Sequence, residues 1–227
     1  MTPFRVTCVI PALNAAPTLD AVVSGVRAAL PANAVIVVVD DGSRDGTYDV
    51  ARDIADVAIR LPENRGKGAA LRAGFATALE LGVEAVLTID ADGQHDPACA
   101  PALVDALITA DLVVGARPRS RQMPAGRRLT NLLSAAAVSR CIGQPVPDAQ
   151  CGFRAIRADV VANVNPHGDR YEFETEFLII AARRGYRVAF VPVPTRYGAP
   201  VPSQFRSVRD SVRIVSTLWR FGAGASV

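Results

Sequence analysis

The feature that most constrains this chain is an alternation. Through its first half, short runs rich in Val and Ile are separated by longer runs of helix-forming residues. Residues 6–10 predict a buried strand, 18–30 a helix stopped by Pro31, and 34–39 a nearly pure β-branched strand. Residues 46–55 predict a helix, 57–61 a strand, and 67–81 a helix closed by Gly82. A strand at 84–89, a helix at 97–108 with proline near its start, and a strand at 112–115 complete the half. Strand and helix in turn predict an α/β fold, a mostly parallel sheet flanked by helices on both faces. No internal repeat or low-complexity linker interrupts the pattern, so a single domain is expected over residues 1–227.

Ligands of such sheets gather at the carboxyl ends of the strands, and two acidic clusters stand there. Asp40-Asp41-Gly42-Ser43 follows one strand; its carboxylates suit ribose hydroxyls or a base N–H, and equally a polar turn. Asp90-Ala91-Asp92 follows another. In extended chain, residues i and i+2 point to one side, so this pair predicts an oxygen site for Mg2+ or Mn2+. Such an ion would hold a diphosphate and neutralise a leaving nucleoside diphosphate, with Gln94 and His95 beside it. Asn64-Arg65-Gly66-Lys67-Gly68 opens a helix, which favours an anion; a plain capping loop reads the same way. The loop is neither G-x-x-x-x-G-K-[ST] nor G-x-G-x-x-G, so ATPase and Rossmann dehydrogenase readings lose their main support.

The second half differs. Between Asp111 and Asp148 there is no acidic residue, but there are six arginines: Arg117, Arg119, Arg121, Arg127, Arg128 and Arg140. A solvated face accounts for such a run, and so does an anionic acceptor. Residues 129–142 predict an apolar helix, 148–154 a loop entering a short strand, and 172–184 a helix. Residues 188–191 and 193–197 predict strand pieces broken by Pro192. Residues 207–221 are amphipathic, with Val208, Val212, Val215, Leu218 and Trp219 in one stripe and Arg209, Arg213 and Arg220 around it. That stripe packs into a core or docks on an anionic membrane.

Composition narrows the classes. A net charge of +3 is too mild for a nucleic-acid binder. The basic residues are 24 Arg and the single Lys67, a bias that suits phosphate recognition and that a GC-rich genome also produces. The four cysteines, Cys8, Cys99, Cys141 and Cys151, lie apart and suggest reduced thiols in a cytosol rather than a disulfide framework or zinc knuckle. No leader is expected, because the N-terminus enters a strand at once. The longest uncharged stretch, residues 6–19, is 14 long and holds two prolines, so no membrane span is expected either.

Six motifs occur in order: Val9-Ile10-Pro11-Ala12-Leu13-Asn14, Val39-Asp40-Asp41-Gly42-Ser43-x-Asp45-Gly46-Thr47, Asn64-Arg65-Gly66-Lys67-Gly68, Asp90-Ala91-Asp92-Gly93-Gln94-His95, Gly115-Ala116-Arg117 and Asp148-Ala149-Gln150-Cys151-Gly152-Phe153-Arg154. The series resembles the family 2 glycosyltransferases, most of all their dolichol-phosphate mannosyltransferase-like branch, over residues 5–200. The resemblance implies a GT-A fold and inverting transfer from a nucleotide-diphosphate sugar. It implies a nucleotide-sugar half over residues 5–110, with Pro11, Asn14, Asp40, Asp41, Lys67 and Asp90 on the nucleotide. Asp90 and Asp92 would hold Mg2+ or Mn2+, with Gln94 nearby. An acceptor half over residues 111–200 would bring Arg117, Arg128, Gln150 and Arg154 to the acceptor, joined by Arg206 beyond it. Asp92, Gln94, Arg117 and Arg128 are the expected catalytic set. Two departures stand out: Ala15 and Ala16 replace an acid usual in the family, and Ser203-Gln204-Phe205-Arg206 stands where the branch has a Ser-Lys pair.

The acceptor decides the mechanism. A lipid phosphate is already ionised at neutral pH and attacks the anomeric carbon without a strong base, positioned by arginines. A hydroxyl of a glycolipid or polysaccharide precursor needs a base, for which Asp148, Glu174 and Glu176 are the choices. The acid-free arginine stretch favours a polyprenyl phosphate, met at the inner face of a membrane by a peripheral cytoplasmic enzyme. A sugar nucleotidyltransferase fits less well, since residues 11–17 hold no Gly and no basic residue for a triphosphate. A non-catalytic nucleotide-sugar-binding module fits the lost acid at Ala15 but not the intact Asp90 and Asp92.

Overall fold

Strand β1 (Val6–Ala12) is buried along almost its whole length, as are β2 (Val35–Asp40) and β4 (Ala85–Thr88). Strands this apolar must be covered on both faces. The structure, a computed structural model, describes residues 3–118 and 125–195, with the backbone alone over 125–130. Its sheet has seven strands, completed by β3 (Val57–Arg60), β5 (Leu112–Ala116), β6 (Arg154–Arg157) and β7 (Val188–Pro192), in the order β3-β2-β1-β4-β6-β5-β7. Every pairing is parallel except the two made by β6, which runs antiparallel to β4 and β5.

The helices are α1 (Ala16–Ala29), α2 (Thr47–Ile54), α3 (Lys67–Glu80), α4 (Ala100–Asp105), α5 (Ala125–Ile142), α6 (Ala158–Asn163) and α7 (Glu172–Arg183). The chain steps one way across the sheet from β1 through α1 to β2 and through α2 to β3. It then steps back through α3 to β4. Right-handed crossovers therefore place α1 and α2 on one face and α3 on the other. Gly74 lets α3 come down onto β1, since a Cβ there would strike Val9 Cγ1.

The expected α/β fold with a mostly parallel sheet is the observed one, with five local differences. The helix expected over 97–108 is a 3-10 turn (Pro97–Cys99), the short α4, and a second 3-10 turn (Ala106–Ile108). Pro97 and Pro101 carry no N–H, and the Asp96 side chain accepts from Ala98 N instead. Strand β7 includes Pro192, opposite Ala116 of β5, and ends there; over the described residues 193–195 the second expected piece is no strand, with only Thr195 bridging to His95. β7 is an edge strand, where proline's missing donor is tolerated. Helix α6 was not expected, and α5 begins four residues before its expected start at 129. Finally, β4 stops at Thr88, so Asp90-Ala91-Asp92 is not extended chain but enters a turn whose Gly93 has φ 72°.

Among the described residues no helix is long and apolar enough to cross a membrane. Arg206, the end of the expected strand piece at 193–197, and the amphipathic stretch 207–221 lie outside the described residues, as does the side chain of Arg128.

Candidate active site at the carboxyl edge of the sheet

Strands β1, β2, β4 and β5 all end on one edge, and antiparallel β6 begins there, so five of the six motifs meet at this edge and the Asn64–Gly68 loop joins them from α3. Asp40 closes β2 and is fully buried. Its Oδ1 accepts from Ser43 N at 3.0 Å. Its Oδ2 lies 3.5 Å from Arg60 Nε and makes no hydrogen bond. Asp41 is spent on the chain itself: its two carboxylate oxygens accept from Arg65 N and Gly66 N, each at 2.8 Å. This clamp holds the glycine loop, where Gly66 has φ 105° and carries no Cβ to strike Asp169 O. Burial pushes the Asp41 carboxyl up, against the downward pull of the two N–H groups.

Pro11 sits in β1 opposite Val39. Asn14, with φ 49°, donates its N–H to Ser43 Oγ at 2.9 Å and accepts from Arg44 N at 3.0 Å. It thus shapes the turn after β2. Helix α1 has no cap of its own at Ala15. Thr47 Oγ1 accepts from Ala15 N at 2.8 Å and Asp45 Oδ2 from Ala16 N at 3.2 Å, and the Thr47 hydroxyl bonds to Asp45. The Asp45-Gly46-Thr47 part of the second motif therefore caps a helix from another loop. Sequence reading missed this, because local spacing carries no trace of a partner so distant.

Asp90 lies at the centre. Its Oδ1 pairs with Lys67 Nζ at 2.6 Å, and the same ammonium is 2.9 Å from Glu174 Oε1 of α7. The Tyr171 ring stands 5.9 Å from that nitrogen. Burial alone would depress Lys67, but the two carboxylates outweigh it and hold the ammonium protonated. Lys67 in turn holds the Asp90 carboxyl below its usual range despite burial. Gly152 makes room for the pair: a Cβ there would lie 2.5 Å from Asp90 Oδ2 and 2.6 Å from Lys67 Nζ. Thr88 Oγ1 donates to Gly152 O at 2.8 Å and fixes that backbone.

Asp92 accepts from Gln94 N at 2.9 Å, closing the turn that Thr18 Oγ1 pins by donating to Ala91 O at 2.6 Å. Gln94 is thus placed by its backbone, with its side chain at the half-buried rim. His95 is buried, its Nε2 3.7 Å from Cys151 Sγ and its ring 5.7 Å from that of Phe153. Burial pushes its pKa down to about 4 and the Cys151 thiol up to about 12. Among the described residues no three His, Cys, Asp or Glu side chains group as a closed metal site. A turn bearing two carboxylates fits the other mode, in which Mg2+ takes one or two protein oxygens and draws the rest from phosphates and water.

The acceptor-side residues are more tightly committed than expected. Arg117 forms a two-point pair with buried Asp148, at 2.6 Å and 3.0 Å. Asp148 also accepts from Asn131 Nδ2 at 3.1 Å and Gln150 N at 3.0 Å. Its carboxyl lies below the usual range: burial raises it, and Arg117 with these donors outweighs that. Glu176 accepts from His167 N at 2.8 Å and Gly168 N at 2.9 Å. Arg154, expected on the acceptor, is buried and donates to the carbonyls of Cys151, Glu174 and Ala149 at 2.7–3.0 Å. It braces β6 against α7. Gln150 Nε2 is a buried donor without a hydrogen-bond partner.

Strand order, acidic turns at the carboxyl edge, and a glycine loop opening α3 define a GT-A glycosyltransferase. The chain belongs to glycosyl transferase family 2, whose family model matches residues 7–164. It is 32% identical over 201 residues to an undecaprenyl-phosphate mannosyltransferase of Micrococcus luteus, covering 83% of this chain and 82% of that one. It is 32% identical over 207 residues to the polyprenol monophosphomannose synthase of Mycolicibacterium smegmatis, covering 83% and 76%. Among solved structures it resembles glucosyl-3-phosphoglycerate synthase from Mycobacterium tuberculosis, crystallised with Mn2+, UDP and glucosyl-3-phosphoglycerate. The TM-score is 0.76 at 22% identity, over 99% of this chain and 82% of that one, a likeness of fold. The resemblance to the dolichol-phosphate mannosyltransferase-like branch is borne out by these relatives.

Proposed function

We propose that this glycosyltransferase moves a hexose from a nucleoside-diphosphate sugar to a polyprenyl phosphate, with inversion at the anomeric carbon. One observation carries the choice of acceptor. All three carboxylates considered as bases are already engaged: Asp148 by Arg117, Glu174 by Lys67, and Glu176 by two main-chain N–H groups. A hydroxyl acceptor needs a carboxylate free to take its proton. An ionised phosphate does not. The names of the relatives support the same reading.

On this reading residues 5–110 serve the donor and 111–200 the acceptor. The unbonded Oδ2 of buried Asp40 accepts from the base or ribose. Asp92 and Asp90, with Gln94 beside them, would hold a divalent cation, which would supply positive charge against the diphosphate. Lys67, kept charged between Asp90 and Glu174, faces the same negative charge. Arg117 arrives on a rigid clamp, which lowers the cost of ordering it against a phosphate. A phosphate oxygen forms the bond to the anomeric carbon. The bond to the diphosphate breaks, and the nucleoside diphosphate departs with the electron pair.

The test is a donor screen by calorimetry with Mn2+, using GDP-mannose, UDP-glucose, UDP-GlcNAc and UDP-galactose, followed by turnover with and without a short polyprenyl phosphate. We expect one donor to bind and an acid-labile sugar phosphodiester to form only with the lipid. Transfer to a hydroxyl acceptor without lipid phosphate would overturn the acceptor. Unchanged Mn2+-dependent donor binding in Asp92→Asn would overturn the metal site.

A further inference from the structure

Lys67 is the only lysine in a chain that uses arginine at 24 other positions. It opens α3 and reaches two carboxylates from elements far apart in sequence. Asp90 Oδ1, beyond the end of β4, lies 2.6 Å from its Nζ, and Glu174 Oε1, in the first turn of α7, lies 2.9 Å away. The two partners differ in their surroundings. The Asp90 side chain is 26% exposed at the sheet edge, and that of Glu174 is 5% exposed. The ammonium thus bridges one carboxylate that a ligand can reach and one enclosed by protein. An arginine fork is held to the plane of its partner, whereas an ammonium on a flexible four-carbon stem turns between two partners.

Asp90 is also one of the two carboxylates read above as a cation site. A divalent cation and the Lys67 ammonium on one carboxylate repel each other. Gly152 closes one side of that carboxylate, since a Cβ there would lie 2.5 Å from Oδ2 and 2.6 Å from both Oδ1 and Lys67 Nζ. Cation and ammonium are left to approach Asp90 from the remaining side. Glu174 gives the ammonium a place to stay. It keeps a full counter-charge as the contact with Asp90 lengthens, and an N–H released from Asp90 can turn to an incoming phosphate oxygen.

We propose that Lys67 competes with the divalent cation for Asp90, and that Glu174 retains the ammonium when Asp90 is given up. This rests on the reading that Asp90 and Asp92 hold the cation, and it adds an order of binding to that reading. A cation alone meets a carboxylate already paired with Lys67 and binds weakly. A nucleoside diphosphate draws the ammonium toward its own charge, which frees Asp90 for the cation. Cation and donor therefore bind with positive coupling. Glu174 is a positioning residue, acting on Asp90 through Lys67.

The experiment is calorimetric titration of the full chain with Mn2+ alone, and then with Mn2+ in the presence of GDP or UDP. The variants are Lys67→Met, Glu174→Gln and the two together. The double variant keeps the wild-type net charge of the cluster while releasing Asp90, so it separates competition from a change of field. We expect Lys67→Met to bind Mn2+ alone about tenfold more tightly than wild type and Glu174→Gln about tenfold more weakly, with the double variant tighter than wild type. A diphosphate should tighten Mn2+ in wild type by about tenfold or more, and by less in Lys67→Met. Near-ultraviolet circular dichroism establishes folding, and the double variant carries the comparison if Lys67→Met does not fold. General damage weakens every variant alike, so the opposite signs belong to the competition. Mn2+ binding no tighter in the double variant than in wild type would overturn the proposal, as would Glu174→Gln at wild-type affinity. A wild-type affinity for Mn2+ that neither diphosphate raises would overturn the coupling. Unchanged Mn2+ binding in Asp92→Asn would overturn the cation site and this proposal together. Loss there, with Lys67→Met no tighter than wild type, would overturn this proposal alone. No acceptor is present, so the choice of polyprenyl phosphate stands or falls on the donor screen.

Discussion

At Gly152 the absence of a side chain shapes the site. A methyl group there would press on Asp90 and Lys67 at 2.5–2.6 Å. Overpacking of this kind costs about 1–3 kcal/mol, and displacing the pair acts directly on the donor side. Gly152→Ala is therefore expected to lower kcat/KM by about tenfold or more, read against a thermal melt. Arg154 makes the opposite point, a charged residue whose work is structural. Arg154→Met strips three buried carbonyls of their donor. We expect a loss of about 3 kcal/mol in urea unfolding. His95 sets a pH dependence. Buried and neutral, with its pKa pushed down from 6.5 to about 4, it binds no proton in the folded chain where the unfolded chain does. Stability is then full above about 6.5 and falls as the pH drops toward 4, by up to about 3 kcal/mol. His95→Asn should flatten the slope of unfolding free energy between pH 6.5 and 4.5. A slope equal to wild type there would assign the acid sensitivity to other groups.

At the scale of the element, α1 depends on a loop that follows the next strand. Asp45 and Thr47 accept the first free N–H groups of α1, whose own Ala15 provides no cap. Asp45→Ala is expected to destabilise the chain by about 1 kcal/mol, measured by urea unfolding, with donor binding weakened through the shifted turn. The alanines at 15 and 16 thus sit where main-chain N–H groups, not side chains, carry the contacts. Which elements exist was largely readable: β1 to β5 and α1 to α3 lie within a residue or two of expectation. Each is set by local periodicity and by Pro and Gly stops. The misses have non-local causes. Pro192 reads as a break until β7 is known to be an edge strand. The run at 97–108 reads as one helix until its two ends tighten into 3-10 turns, the first opening on Pro97. Residues 90–92 read as extended until Thr18 draws the Ala91 carbonyl into a turn.

For the whole molecule, donor binding and folding are linked. A nucleoside diphosphate with Mn2+ that binds only the folded chain adds about 2.7 kcal/mol at a hundredfold excess over Kd. For a chain of this size the thermal midpoint is expected to rise by about 5–10 °C, read by calorimetry. Asp92→Asn should remove the Mn2+-dependent part of that rise. By itself the sequence determined the class of sheet, the strand ends where acids gather, the glycine loop and the family. All of these rest on neighbours within a few residues or on motifs preserved in order. Only the tertiary structure decided what each charged group does. Strand β6, entering antiparallel between β4 and β5, carries Gly152 and Arg154 to the sheet edge. That places Asp148 against Arg117, 31 residues away, and lets Glu174 of α7 meet Lys67 of α3. Asp148 and Glu174, which read as bases, became ion-pair partners, because a buried charge must be paired and its partner is chosen by packing rather than by spacing.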